Sequence, residues 1–230
     1  MSELQTQLKN IYIGKVDYLP NSSFRSAFLK KAVFDEIKIV KNGIEGDQVA
    51  DTIQHGGLDK AIHHFPYKHY FVFAKNFPKF NSKWKQQKHL QNYCLLGENF
   101  SDILLDESRV CIGDIWQIGE VLLQISQPRQ PCWKIDAYFE IENSNGLMKY
   151  IAKNGFCGWY YRVLKSGKVN SESLLCLIER PHPLLSVRNS WLARINKNSE
   201  CKPKILHDLA NCPELSRNWQ KVFQQKLLSK

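Results

Sequence analysis

Apolar and polar positions divide this chain into two unlike parts. Val121, Leu123 and Ile125 alternate with Leu122, Gln124 and Ser126, the period of a strand with one face in a core. Residues 110–118 and 121–126 therefore predict a hairpin joined around Gly119-Glu120. Residues 11–16 predict a first strand. Residues 33–40 predict another, with Val33, Ile37 and Ile39 on one face and Glu36 and Lys38 on the other, broken at Asn42-Gly43. Pro66 suits a helix start, Tyr70, Phe73, Ala74 and Phe77 follow at helical spacing, and Pro78 reads as the stop. Residues 80–89 then read as a basic, polar connection enclosing Trp84. A short helix over 147–153 halts at Gly155. Segments 159–163 and 174–179, with a Ser166-Gly167 turn between them, supply more strand.

Beyond Pro181-His182-Pro183 the period changes. Segments 184–195, 203–210 and 214–228 each carry apolar residues at helical spacing, as in Leu215, Trp219, Val222 and Phe223. The expected fold is mainly β with α: a β-barrel-like domain over residues 1–180, then a small three-helix domain over 181–230.

A hydrophobic fraction of 43% and a charged fraction of 23% place the chain among ordinary globular proteins. Residues 1–10 are polar, without the apolar core of a signal peptide, and no window approaches a membrane span. The seven cysteines are scattered and never form a C-x-x-C pair, which excludes a disulfide framework and a zinc cassette and favours reduced thiols. The expected location is the cytoplasm. Of the net charge of +10, the last fifty residues carry nine Lys/Arg against three Asp/Glu. Such a tail is read here as a solvated helical surface, since no base-reading side chains stand in register for nucleic acid.

Candidate chemistry gathers in two stretches. In Gln127-Pro128-Arg129-Gln130-Pro131-Cys132-Trp133-Lys134 the prolines fix φ and hold the residues before them extended, so Cys132 ends a strand on a stiff arm. Arg129, three residues earlier, favours a thiolate, the form that attacks electrophiles and binds metals. The bland reading, a buried structural thiol, stands beside it. In the second stretch, His55-Gly56-Gly57 with Lys60 offers backbone N–H groups and a cation to an anion, although on the residues alone a plain Gly-Gly loop is the better reading. The four histidines at 55, 63, 64 and 69 match no zinc spacing.

These motifs, in this order, resemble the MOSC domain family, the module at the C-terminus of molybdenum-cofactor sulfurases, and within it the YiiM-type branch. The resemblance is carried by Ser26-Ala27 with Lys30, Gly43-Ile44-Glu45-Gly46-Asp47, His55-Gly56-Gly57 with Asp59-Lys60-Ala61, and His64-Phe65-Pro66 with His69-Tyr70. It continues through Gly97-Glu98-Asn99, Gly113-Asp114, Ser126-Gln127-Pro128-Arg129, Pro131-Cys132 and Gly158-Trp159, and covers nearly the whole chain. It implies a MOSC pseudo-β-barrel, a molybdenum cofactor (molybdopterin), and reduction of N-hydroxylated compounds, purine base analogues such as hydroxylaminopurine among them. A family-level expectation of pyridoxal phosphate binding comes with it.

On that resemblance Cys132 is the metal-facing residue, a role that suits a soft thiolate. Arg129, Lys60, His55, Gly56, Gly57 and Asn99 are the expected cofactor-binding set. His64 is the expected proton donor with Glu45 orienting it; Asp47, Asp51 and Glu98 are rivals for Glu45's place. His63 stands where relatives often carry cysteine. Expected partners are a small N-hydroxylated substrate and a separate electron-donor protein, since no flavin or iron–sulfur motif is visible; oligomeric state stays open. Two other classes remain: a cofactor or sulfur carrier whose basic tail grips nucleic acid, and a thiol hydrolase with Cys132 as nucleophile and His64 as base.

Overall fold

The computed structural model describes residues 4–20, 22–90, 93–141, 145–170, 172–196 and 202–229. Cys201 lies outside the described residues. Fourteen strands run in chain order: β1 Gln5–Gln7, β2 Asn10–Ile13, β3 Asp17–Tyr18, β4 Arg25–Ser26, β5 Lys31–Val33, β6 Ile37–Val40, β7 Gly43–Ile44, β8 Ile62–Pro66, β9 Phe100–Asp102, β10 Ile115–Ile118, β11 Val121–Pro128, β12 Trp159–Lys165, β13 Gly167–Val169 and β14 Leu174–Glu179. Seven helices accompany them: α1 Lys68–Asn76, α2 Pro78–Leu90, α3 Lys134–Phe139, α4 Leu147–Asn154, α5 Val187–Ile195, α6 Pro203–Asn211 and α7 Arg217–Leu228.

Nine strands form one mixed half-barrel sheet in the order β1-β14-β10-β11-β12-β8-β9-β2-β5. Every pairing in it is antiparallel except β8 with β9. Two small sheets, β13-β6-β7 and β3-β4, lie beside it. Trp116, Trp159, Tyr161 and Phe100 are fully buried on this sheet, and Phe65, Tyr70, Phe73 and Phe80 bury the first helices against it. Of the helical stripe, Tyr70 and Phe73 are core, and Ala74 and Phe77 pack against it partly buried.

The hairpin of β10 and β11 pairs Ile118 with Val121 around Gly119-Glu120, but its first strand starts only at Ile115. Strand β11 runs on through Gln127 and Pro128, with a bulge between Ile125 and Gln127 against β12. Past the bulge Pro128 pairs with Trp159 as the last residue of the strand, an end position at which a missing N–H disturbs the ladder least.

Four local expectations need correction. Segment 33–40 is two strands, because residues 34–36 break out between β5 and β6. Pro66 closes strand β8, and α1 begins at Lys68. Pro78 does not merely end α1: it starts α2, so 80–89 is helix, consistent with a proline at a first helical position whose N–H has no partner in any case. Helix α3, directly after Cys132, was not anticipated; it ends at Glu140 with φ 55°. Helix α4 stops at Gly155 in the left-handed region, as read.

Helices α5–α7 follow the last strand and pack onto the sheet. The Ser216 N–H donates to the Ser126 carbonyl at 3.0 Å, tying the start of α7 to β11. Trp191 Nε1 donates to the Ala152 carbonyl at 2.6 Å. His182 Nε2 lies 2.7 Å from Glu214 Oε2, and the Cys212 thiol donates to that oxygen at 3.6 Å, so the chain entering the helices is latched to the α6–α7 connection.

Candidate active site: a cationic cavity beside Cys132

The cavity is built around a carboxylate. Asp47, almost wholly buried, accepts the Gly14 N–H (2.8 Å) at Oδ1, and Lys30 Nζ (2.5 Å) and Asn99 Nδ2 (2.8 Å) at Oδ2. Asn99 in turn accepts the His63 N–H at Oδ1 (3.1 Å) and donates to the Tyr12 carbonyl (3.2 Å). This network pins β8, the Gly97–Asn99 turn and the Lys30 segment together. Asn99 therefore serves as both wall and strut.

A second wall comes from residues 51–60. Asp51 Oδ1 accepts the Gln54 N–H (2.9 Å), and the His55 N–H donates to the Asp51 carbonyl (2.9 Å). The chain passes so close to itself here that a Cβ at Gly56 would lie 2.6 Å from the Thr52 carbonyl oxygen. Gly57, at φ 99°, accepts the Lys60 N–H at 2.9 Å. Neither glycine lines the cavity; their work is to turn the chain so that His55 and Lys60 reach it. Of the expected set on this loop, the side chains of His55 and Lys60 line the cavity and the two glycines between them do not.

Arg129, on the stiff arm, is 4% exposed and faces the same space. Its Nη2 reaches the Leu96 carbonyl only at 3.5 Å, and its Nε and Nη1 have no hydrogen-bond partner in the protein. His63 Nε2, also buried on the cavity wall, is unpartnered as well. Buried polar groups are nearly always satisfied, and the unmet guanidinium donors of Arg129 suit an anionic or acceptor-rich group. Cys132, half-buried, lies on the same wall with Lys134 and Tyr160.

The electrostatics agree. Burial and then the Arg129 charge push His55 down to about 4. The same two causes hold His63 well below the usual imidazole range. Burial also lowers Lys60. Both imidazoles are thus depressed first by burial and then by the Arg129 charge, and an anion in the cavity would offset the second cause.

His64 is placed elsewhere. Successive residues of β8 point to opposite faces, so with His63 on the cavity wall His64 enters the core. It is fully buried, with Nε2 2.6 Å from Asp102 Oδ2, Nδ1 3.3 Å from the Tyr161 hydroxyl, and its ring stacked on Trp159 at 4.4 Å. Asp102 Oδ1 is held by the N–H groups of Leu104 (2.7 Å) and Leu105 (2.6 Å). His64 is therefore a core strut, and the hydrolase reading loses its base. Glu45 is exposed and pairs with Lys38 at 3.3 Å, outside the cavity. Of its rivals, Glu98 is buried under Tyr70 (2.5 Å), whereas Asp47 and Asp51 line the cavity. Lys30, Lys134 and Tyr160 join the wall without having been singled out for it.

Among the described residues, the His182, Cys212 and Glu214 latch is the one gathering of three metal-type donors, and it lies away from this cavity. A metal at Cys132 would have that thiolate as its protein anchor and would need its other ligands from a cofactor. The donors present fit such a group: one soft sulfur beside a nest of cations for an anionic tail.

The fold and the cavity together define a mixed half-barrel whose cavity is lined by Lys30, Lys60, Arg129 and Lys134, with Cys132 on its wall. The family model for the MOSC domain matches residues 51–173, which spans both the 51–60 wall and the Cys132 arm. Protein YiiM of Escherichia coli is 34% identical over 96% of this chain and 92% of its own length. The crystal structure of that protein superposes with a TM-score of 0.73 at 28% identity, covering 98% of this chain and 94% of the other. A protein of Gibberella moniliformis named as a reductase is 32% identical over 75% of this chain, which spans 28% of that protein. The chain belongs to the MOSC domain family.

Proposed function

We propose that this protein is a molybdenum-cofactor-dependent reductase of N-hydroxylated compounds, with N-hydroxylated purine base analogues as its substrates. The observation that carries the reading is the set of buried, unpartnered nitrogens, the Arg129 donors Nε and Nη1 with His63 Nε2, on residues of the wall that also carries Cys132. The reductase name of the fungal relative and the family membership support it.

Arg129, Lys60 and His63 would hold the anionic part of the cofactor, and Cys132 would bind its metal through sulfur. When bound, the cofactor supplies two electrons at the metal. Overall, an N–OH group takes up two electrons and two protons; the N–O bond breaks, and an N–H group and water result. A separate electron-transfer protein is the source of the electrons. Burial and then the Arg129 charge depress both histidines, and negative charge beside Arg129 offsets the second of these causes. His55 lines both the inner cavity and the cleft outside it, next to Cys132, and is the residue placed to protonate the departing oxygen.

The test supplies cofactor-loaded protein and a chemical reductant with 6-hydroxylaminopurine and follows the amino product. Adenine formation that is lost with Cys132→Ser supports the reading. Fully loaded protein that leaves every N-hydroxylated compound untouched removes it.

A further inference from the structure

Outside the cationic cavity lies a second, larger cleft that shares Cys132, His55, Lys60 and Tyr160 with it. Its walls come from two parts of the chain: the arm around Gln130 and Trp133 on one side, and helices α5 and α7 on the other. The inner cavity has the unmet cationic donors; the outer cleft has planar groups and carboxamides. Trp133, at the start of α3, is 48% exposed, and Phe24 meets its ring edge-on at 4.5 Å. Across the cleft, the Arg194 guanidinium lies over the Trp219 ring at 4.5 Å and donates to Gln130 Oε1 at 3.4 Å. That contact joins the helices to the arm. Asn218, exposed, presents its amide to the same space. The Ser216–Ser126 backbone bond fixes the helices against β11, so the cleft has a set width.

An indole half open to water on the same cleft as Cys132 offers apolar ring surface, and every nucleobase has a π-face to cover it. Carboxamides offer the paired donor and acceptor that a base edge requires. Taking the reductase reading as given, we infer that the outer cleft selects planar heteroaromatic substrates. Trp133 stacks on the ring, the Arg194–Trp219 pair closes the opposite side, and the N–OH group is directed inward to Cys132. The C-terminal helices are thereby a specificity wall of the active site. Trp133 and Arg194 are positioning residues for the ring and take no part in breaking the N–O bond.

The experiment compares two substrates on loaded protein: 6-hydroxylaminopurine, which has a ring to stack, and hydroxylamine, which has none. The ratio of their kcat/KM values is measured in wild type, Trp133→Ala and Arg194→Gln. Stacking on an aromatic side chain is worth about 1–3 kcal/mol per base, so the ratio for Trp133→Ala should fall by roughly 5- to 150-fold. Arg194→Gln, on the other wall, should lower it in the same direction. Calorimetry with 6-hydroxylaminopurine on cofactor-free protein gives a readout independent of turnover, and Trp133→Ala should weaken that binding by a similar factor. A ratio and a binding constant that stay at the wild-type values overturn the inference while leaving the reductase reading in place. If wild type reduces neither substrate, the reductase reading falls, and binding of the purine that is indifferent to Trp133 takes the cleft assignment with it.

Discussion

Arg129 and His63 line one cavity and each carries buried nitrogen atoms without a hydrogen-bond partner, and burial together with the charge of the first holds the imidazole of the second well below its usual range. An anion placed there would meet the guanidinium and relieve the imidazole at once. Removing one partner of a buried charge pair costs about 2–5 kcal/mol. Arg129→Gln should therefore weaken binding of the anionic cofactor by roughly 30-fold or more. In the cofactor-free variant the His63 proton resonances should titrate at higher pH than in wild type, because a depressing charge is gone. Equilibrium binding and NMR titration check the two halves separately.

The depressed histidines also set a pH dependence of stability. His55 folds with a value of about 4, against about 6.5 for a free imidazole. Above the unfolded value both states are neutral and there is no penalty. As pH falls below it the unfolded chain takes up a proton that the native state refuses, so stability drops across the window from about 6.5 to about 4. The melting temperature of cofactor-free protein should fall on acidification through that window, and His55→Asn should flatten part of the fall. An unchanged slope in the variant would remove His55 as its source.

His64 and Asp102 carry a different expectation, because their pair is sealed in the core at 2.6 Å. Breaking a buried pair by deleting one member typically costs about 3–5 kcal/mol. His64→Ala should lose stability on that order in denaturant titration. At a temperature where the variant is folded, its cofactor affinity should stay close to wild type. A large loss of affinity without a loss of stability would place His64 in the site after all.

Which of the two adjacent histidines faces the cavity was not legible in the chain. In a strand with one wet face, polar alternation tells the faces apart; β8 is buried along its whole length, so Ile62 to Pro66 give no such signal. Asp47 was visible only as one acid in a glycine turn, since its worth lies in meeting Gly14, Lys30 and Asn99 from distant parts of the sequence. The dual use of proline hid α2, because the same residue that stops one helix can begin the next. By contrast, the β10–β11 hairpin, the Gly155 stop and the helical periods after Pro183 were readable, since each depends on local spacing or on a single backbone requirement.

Gly56 tests whether the 51–60 wall is built by close approach. A methyl group there would press on the Thr52 carbonyl from 2.6 Å, and that atom belongs to the backbone and cannot swing away. Overpacking of this kind costs about 1–3 kcal/mol. Gly56→Ala should destabilise by that amount and weaken anion binding by displacing His55 and Lys60 together. Thermal unfolding and phosphate titration give the two readouts.

The account rests on the sulfur of Cys132 being bonded to the metal. X-ray absorption at the molybdenum edge of loaded protein measures that bond directly, by counting sulfur neighbours in wild type and in Cys132→Ser at equal metal content. The account predicts one sulfur fewer in the variant, with the fold intact by circular dichroism. An identical sulfur shell in the two proteins would contradict it.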